Sequence, residues 1–153
     1  MSYKFSILYI ISIVIVNIGF VYVPLVPLFG TMFPPMSLVV GIIFILRDYA
    51  QREIGHKVLA AMLIGGAISY FMADPYVAIA SVTAFLISET VDWLVFTYTK
   101  RPFRDRILIS SSLGTPIDSA IFLTMIGAFS WVGCLLMTIA KMISALFILW
   151  RIK

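Results

Sequence analysis

Glu89, Asp92, Asp118 and Lys141 stand inside runs of residues apolar enough to lie in a lipid bilayer. A charge at the bilayer centre costs at least about 2.5 kcal/mol on insertion scales, so each of these side chains needs a partner or a task. Depth follows from counting at about 1.5 Å per helical residue. Glu89, Asp118 and Lys141 fall near the middle of their runs, while Asp92 lies one turn nearer the inner face, level with Arg47. The count therefore predicts a midplane layer of Glu89, Asp118 and Lys141, with Lys141 neutralising one acid or the other. It also predicts an inner ion pair or gate of Arg47, Asp48 and Asp92. Two acids share one base in the midplane layer, which leaves a carboxyl to bind a ligand or to hold a proton.

The neighbours of these acids share their chemistry. Ser81, Phe85, Ser88, Glu89, Asp92 and Phe96 follow helical spacing, as do Ser111, Thr115, Asp118 and Phe122. Stripes of hydroxyls, carboxylates and rings are costly against lipid and are expected to face a bundle interior. Such an interior suits a flat, hydrogen-bonding molecule that is uncharged or weakly cationic. Asn17, alone in the first apolar run, is read as an interhelical hydrogen bond or a ligand contact.

The elements that position these groups are read from composition and punctuation. The 153 residues are 62% hydrophobic and 12% charged, where a soluble domain carries about 25% charged residues. The expected fold class is all-α, a polytopic membrane protein in one domain of six transmembrane helices near 5–23, 35–53, 58–73, 76–98, 107–127 and 131–150. Prolines 24, 27, 34 and 35 with Gly30 end the first run, and Asp74–Pro75 forms a tight turn. Given six crossings, Lys4, Arg47, Arg52, Lys57, Lys100, Arg101, Arg104, Arg106, Arg151 and Lys153 fall on one side, and the other connections hold no Lys or Arg. The positive-inside rule then puts both termini in the cytoplasm. Trp131, Trp150, Tyr22, Tyr76 and Tyr98 stand near segment ends, where amphipathic rings favour the interface. Ala61, Gly65 and Ser69, and likewise Ala80, Ala84 and Ser88, repeat every four residues and predict close helix seams.

Several function classes lose support. The net charge of +4 is spent on topology, so no nucleic-acid partner is expected. His56 is the one histidine, expected to be solvated, and Cys134 the one cysteine, expected in the core, which excludes a familiar zinc cluster. Paired acids three residues apart on one helix do not by themselves flank a scissile bond, so no catalytic residue is assigned and no enzyme is expected. The phosphate-binding loop G-x-x-x-x-G-K-[ST] is missing, and with it ATP-driven transport by the chain alone. No cofactor or metal is expected.

Three ordered motifs carry a family resemblance. Arg47-Asp48-Tyr49-Ala50-Gln51-Arg52-Glu53-Ile54-Gly55-His56, then Ser81-Val82-Thr83-Ala84-Phe85-Leu86-Ile87-Ser88-Glu89 with Asp92, then Gly114-Thr115-Pro116-Ile117-Asp118-Ser119-Ala120-Ile121-Phe122 together resemble the queuosine precursor transporter family, also called vitamin-uptake-transporter-like proteins. The resemblance implies a six-helix inner-membrane protein related in fold to the substrate-binding component of energy-coupling-factor vitamin transporters. It implies import of 7-deazaguanines such as 7-cyano-7-deazaguanine and 7-aminomethyl-7-deazaguanine, by facilitated or ion-coupled transport, for conversion into the queuosine of transfer RNA. Monomer and homodimer both stay open. A guanine-like base presents an N1–H beside an exocyclic amine, which a carboxylate accepts with both oxygens. Glu89 and Asp118 are the candidates for that edge, with Phe85, Trp93, Phe96 and Phe122 as aromatic contacts. Ser112 stands where the family's Asn is expected, and the first run has no Ala for the Ala-x-x-x-Ala face that docks an energising partner. The alternatives are a substrate-binding component for another vitamin or nucleobase that needs an ATP-driven partner, and a non-transporting membrane scaffold.

Overall fold

Pro75 supplies a preset backbone angle at the first position of its helix, and Asp74 accepts a 3.0 Å hydrogen bond from the Val77 amide to cap it. Such local signals divide the chain into helices. The computed structural model describes residues 3–151, apart from the side chain of Phe96. Lys153, counted among the inner basic residues, lies outside the described residues. The helices are α1 (Lys4–Tyr22), α2 (Ser37–Ile54), α3 (Val58–Met72), α4 (Pro75–Tyr98), α5 (Phe103–Met125) and α6 (Trp131–Arg151). A 3-10 turn, Gly55–Lys57, joins α2 to α3.

Five helical stretches are long and apolar enough to cross a membrane. They are Lys4–Tyr22, Ser37–Met72, Pro75–Val95, Phe103–Met125 and Trp131–Arg151, the organisation of a multi-pass membrane protein. The second stretch is not one rod. Gly55 ends α2 with φ +61°, a left-handed angle that suits glycine, and the chain turns back there. Two contacts with α1 fix the reversal. Ser6 at the start of α1 meets Glu53 at the end of α2, with both its amide (2.8 Å) and its hydroxyl (2.6 Å) donating to one carboxylate oxygen. Asn17, further along α1, meets Ser69 on α3. Thus α1 runs against α2 and along α3. At 15 residues α3 is about 22 Å long, less than the roughly 30 Å of a bilayer core.

The run of prolines after α1 holds more than a reversal. Val26–Leu28 (β1) and Thr31–Phe33 (β2) pair antiparallel across Phe29 and Gly30, whose φ angles of 49° and 76° make the tight turn. This hairpin is fastened to the α5–α6 link by a 2.7 Å hydrogen bond between Thr31 and Ser130. Tyr76 at the start of α4 donates to the carbonyl of Met125 at the end of α5 at the same end of the molecule. The opposite end collects Lys4, Arg52, Lys57, Lys100, Arg101 and Arg104 around the helix starts, turns and ends.

Backbone packing makes a ring, in the order α1, α2, α6, α5, α4, α3 and back to α1. Small residues set the closest approaches. A Cβ on Gly41 would overlap the backbone of Lys141, so α2 and α6 touch main chain to main chain. On α3, Gly65 admits the side chain of Ile13, while Ala61, Gly65 and Ser69 are all buried. α2 and α4, by contrast, share no close backbone approach, so their side chains must fill the space between them.

The ring is inside-out relative to a soluble protein. Ile7, Ile11, Ile15, Leu63, Ile64, Leu135, Ile139 and Ile143 lie exposed on the outer faces, while Arg47, Asp48, Glu89, Asp92, Asp118 and Lys141 are buried. Apolar side chains outside and charges within are what hydrocarbon solvent demands. Tyr22, Tyr76, Tyr98, Trp131 and Trp150 are exposed at helix ends.

Candidate functional site

The interior of the ring holds two charge clusters. In the first, the Arg47 guanidinium reaches from α2 across to α4. Its Nε donates to Glu89 Oε2 at 2.5 Å, and its Nη1 lies 2.5 Å from both Asp48 Oδ1 and Asp92 Oδ2. A weaker bond of 3.4 Å runs from Nη2 to the Glu89 carbonyl. All four side chains are at most 1% exposed. Arg suits this position because its planar fork offers several donors in fixed directions, where an ammonium would offer one point of charge. Gly114 on α5 borders the cluster; a Cβ there would lie 3.3 Å from Phe44 and 3.9 Å from the Asp92 carboxylate.

The second cluster joins α6 to α5. Lys141 Nζ donates to Asp118 Oδ2 at 2.6 Å and to the Ser119 hydroxyl at 2.8 Å. Lys141 is 1% exposed and Asp118 5% by side chain. The backbone approach at Gly41 lets α6 sit deep enough to aim Lys141 inward. Of the two partners left open by the sequence, Lys141 takes Asp118.

Depth counting grouped Glu89 with Lys141, and this pairing is corrected: Glu89 belongs with Arg47, Asp48 and Asp92. Level along a helix is legible from residue number, but the direction in which a long Arg side chain extends is not. Arg47 lies nearer the basic end than Glu89 and covers the difference with its own length.

Several acceptors and hydroxyls are left over. Glu89 Oε1, Asp48 Oδ2, Asp92 Oδ1, Asp118 Oδ1, Ser111 Oγ and Thr115 Oγ1 are buried without a hydrogen-bond partner among the described residues. So is the hydroxyl of Tyr9, which is 0% exposed and lies in the field of Glu89, Arg47, Asp48 and Asp92. An unpaired buried polar group is costly, so a concentration of them marks a place where something else completes the bonding. Tyr9 was missed at the sequence level. Its signal is present, since Tyr9, Ile13, Val16 and Asn17 form one buried helical face. Ser119 was read only as part of a motif, and its hydroxyl completes the Lys141 site.

The remaining candidates separate. Phe85 is buried with its ring 5.7 Å from that of Phe44, one turn from Glu89. Phe122, one turn beyond Asp118, packs its ring tilted against that of Phe20, with centroids 4.9 Å apart. It also lines a cavity of about 220 Å³ with Phe20, Leu25, Tyr76, Val77, Ile126 and Ala128 at the hairpin end. Asn17 donates to the Ile13 carbonyl (3.0 Å) and to Ser69 (3.1 Å), making it an α1–α3 tie, with its own carbonyl oxygen unpartnered. Trp93 is corrected: its indole donates at 2.8 Å to Nδ1 of exposed His56, at the basic end and away from Asp118. Ser112 is corrected too, since it is exposed on the outer face and bonds back to the Ile109 carbonyl. One residue of phase separates it from Ser111, which is buried. The side chain of Phe96, a further candidate, lies outside the described residues. Cys134 is half-buried, with its thiol 3.8 Å from the Pro116 carbonyl.

No protein-family model matches the chain, and neither a curated protein nor a solved structure does.

Proposed function

We propose that the chain is a carrier that imports 7-deazaguanine bases across the inner membrane, with six crossings and both termini in the cytoplasm. One observation carries this reading. Asp118 binds Lys141 through one oxygen and keeps the other buried and unpartnered, beside the unpartnered hydroxyls of Ser111 and Thr115 on the same face of α5. A base with adjacent N–H donors supplies what these acceptors lack. Phe122, one turn from Asp118, offers a ring face to the same molecule. Support for six crossings comes from the reversal at Gly55, which returns α3 alongside α1. The basic residues gathered at one end support the orientation.

Uptake of labelled 7-cyano-7-deazaguanine, in cells unable to make it, tests the reading. Expression of the chain should restore uptake and Asp118→Asn should abolish it. Normal uptake by Asp118→Asn would remove Asp118 from the base site. A second reading, a membrane scaffold without transport, is favoured by the ion pairs themselves, since every buried acid has a cation within 2.6 Å. Thermal unfolding of the purified protein against purines, deazapurines and vitamins separates the two, because a ligand that binds the folded state raises its melting temperature. A scaffold would show no shift with any of them.

A further inference from the structure

Charge in the first cluster does not balance. Asp48, Glu89 and Asp92 surround a single guanidinium, so with all groups ionised the cluster would hold a net charge of minus two while almost wholly buried. The groups facing it from elsewhere do not correct this. From α1 comes the hydroxyl of Tyr9, buried and unpartnered. From α5 comes Asp118, a further negative charge within reach of Glu89 and already taken by Lys141 of α6. α3 carries only Tyr70, exposed on the outer surface. The imbalance is one of hydrogens as well as charge. Asp48 Oδ2, Glu89 Oε1 and Asp92 Oδ1 accept no bond among the described residues, and the hydroxyls near them, Tyr9 of α1 and Ser110 of α5, bring donors but no charge. Among the described residues no three His, Cys, Asp or Glu side chains are arranged to hold a metal ion. The smallest group that adds both a positive charge and a donor is a proton, which turns one carboxylate into a hydroxyl that bonds to its neighbour's free oxygen.

We propose that the Asp48–Glu89–Asp92 cluster about Arg47 is a proton-binding site, and that a proton taken up there from water outside and released inside drives the carrier. The driving role rests on the transport reading above; the proton site does not. Asp118 and Lys141, balanced one to one, stay outside the proton cycle.

Two measurements on the purified full-length protein test this. Infrared spectra should contain the C=O stretch of a buried carboxylic acid, shifted on transfer to deuterium oxide. Asp92→Asn and Asp48→Asn, either of which reduces the charge excess, should cut its intensity by half or more, and Asp118→Asn should leave it in place. A missing band, or a band untouched by both cluster variants, overturns the proton site. In liposomes, a gradient of one pH unit supports about tenfold accumulation of labelled 7-cyano-7-deazaguanine at one proton per base, since one unit is about 1.4 kcal/mol. Wild-type protein should approach that ratio, whereas Asp92→Asn, or Asp48→Asn if the first folds poorly, should exchange base without concentrating it. Exchange by the wild type with no accumulation overturns proton drive. Absence of any exchange, with the infrared band present, instead defeats the base-carrier reading and leaves the proton site standing.

Discussion

The two buried clusters solve the same physical problem in opposite ways. Around Lys141 one ammonium meets one carboxylate, and a serine hydroxyl takes a second N–H. Around Arg47 one guanidinium serves three carboxylates on two helices that share no close backbone approach. The first arrangement fastens α5 to α6, which already pack together. The second bridges the middle of the ring from α2 to α4. A balanced pair is a fixed structural contact, whereas an unbalanced cluster has room to gain or lose charge.

Breaking the comparison should begin with Arg47. Arg47→Met leaves three buried acids without a cation, and the expected loss is about 5 kcal/mol, the upper end for a broken buried pair. In practice the purified protein should lose its cooperative thermal transition in detergent. Lys141→Met orphans only Asp118 and should cost about 3 kcal/mol. Adding Asp118→Asn should recover most of that loss, and a double-mutant cycle over the melting curves measures the coupling. If Lys141→Met proved the more damaging change, the ranking of the clusters would be reversed. Gly41→Ala drives a methyl into the backbone of Lys141 and should cost about 1 to 3 kcal/mol as overpacking, read in the same melts. Ser112→Asn, on the outer face, should leave the melting temperature and base uptake unchanged; a marked effect on uptake would return that face to the site.

Much of the helical build was legible because lipid solvent and proline geometry act on the local sequence. Asp74–Pro75 announces the start of α4, and the charges at 52–57 and 100–106 mark where the apolar runs end. The faces of α4 and α5 were legible as well, since Glu89, Asp92, Ser111, Thr115 and Asp118 follow the helical period and all are buried. Azimuth between helices could not be read. Glu89 and Lys141 share a level, yet they face different neighbours because α6 sits beside α2 and α5, whereas α4 sits beside α3 and α5. Trp93 was assigned by type, an aromatic one residue from Asp92, but that residue rotates it by about 100° toward His56. The hairpin at 26–33 was hidden because prolines signal that a helix ends and carry no information on strand pairing.

Arg47 and Asp48 are neighbours in sequence as well as in space, and this bears on how the chain enters the membrane. Ribosomes deliver α2 well before α4, so Glu89 and Asp92 do not yet exist when Arg47 must leave water. Asp48, at 2.5 Å on the same helix, can travel with it as a private counter-ion. The acids of α4 carry no such companion and arrive to find a guanidinium already in place. Synthesis order is thereby matched to electrostatics: the cation is installed first, escorted, and later helices are recruited to it.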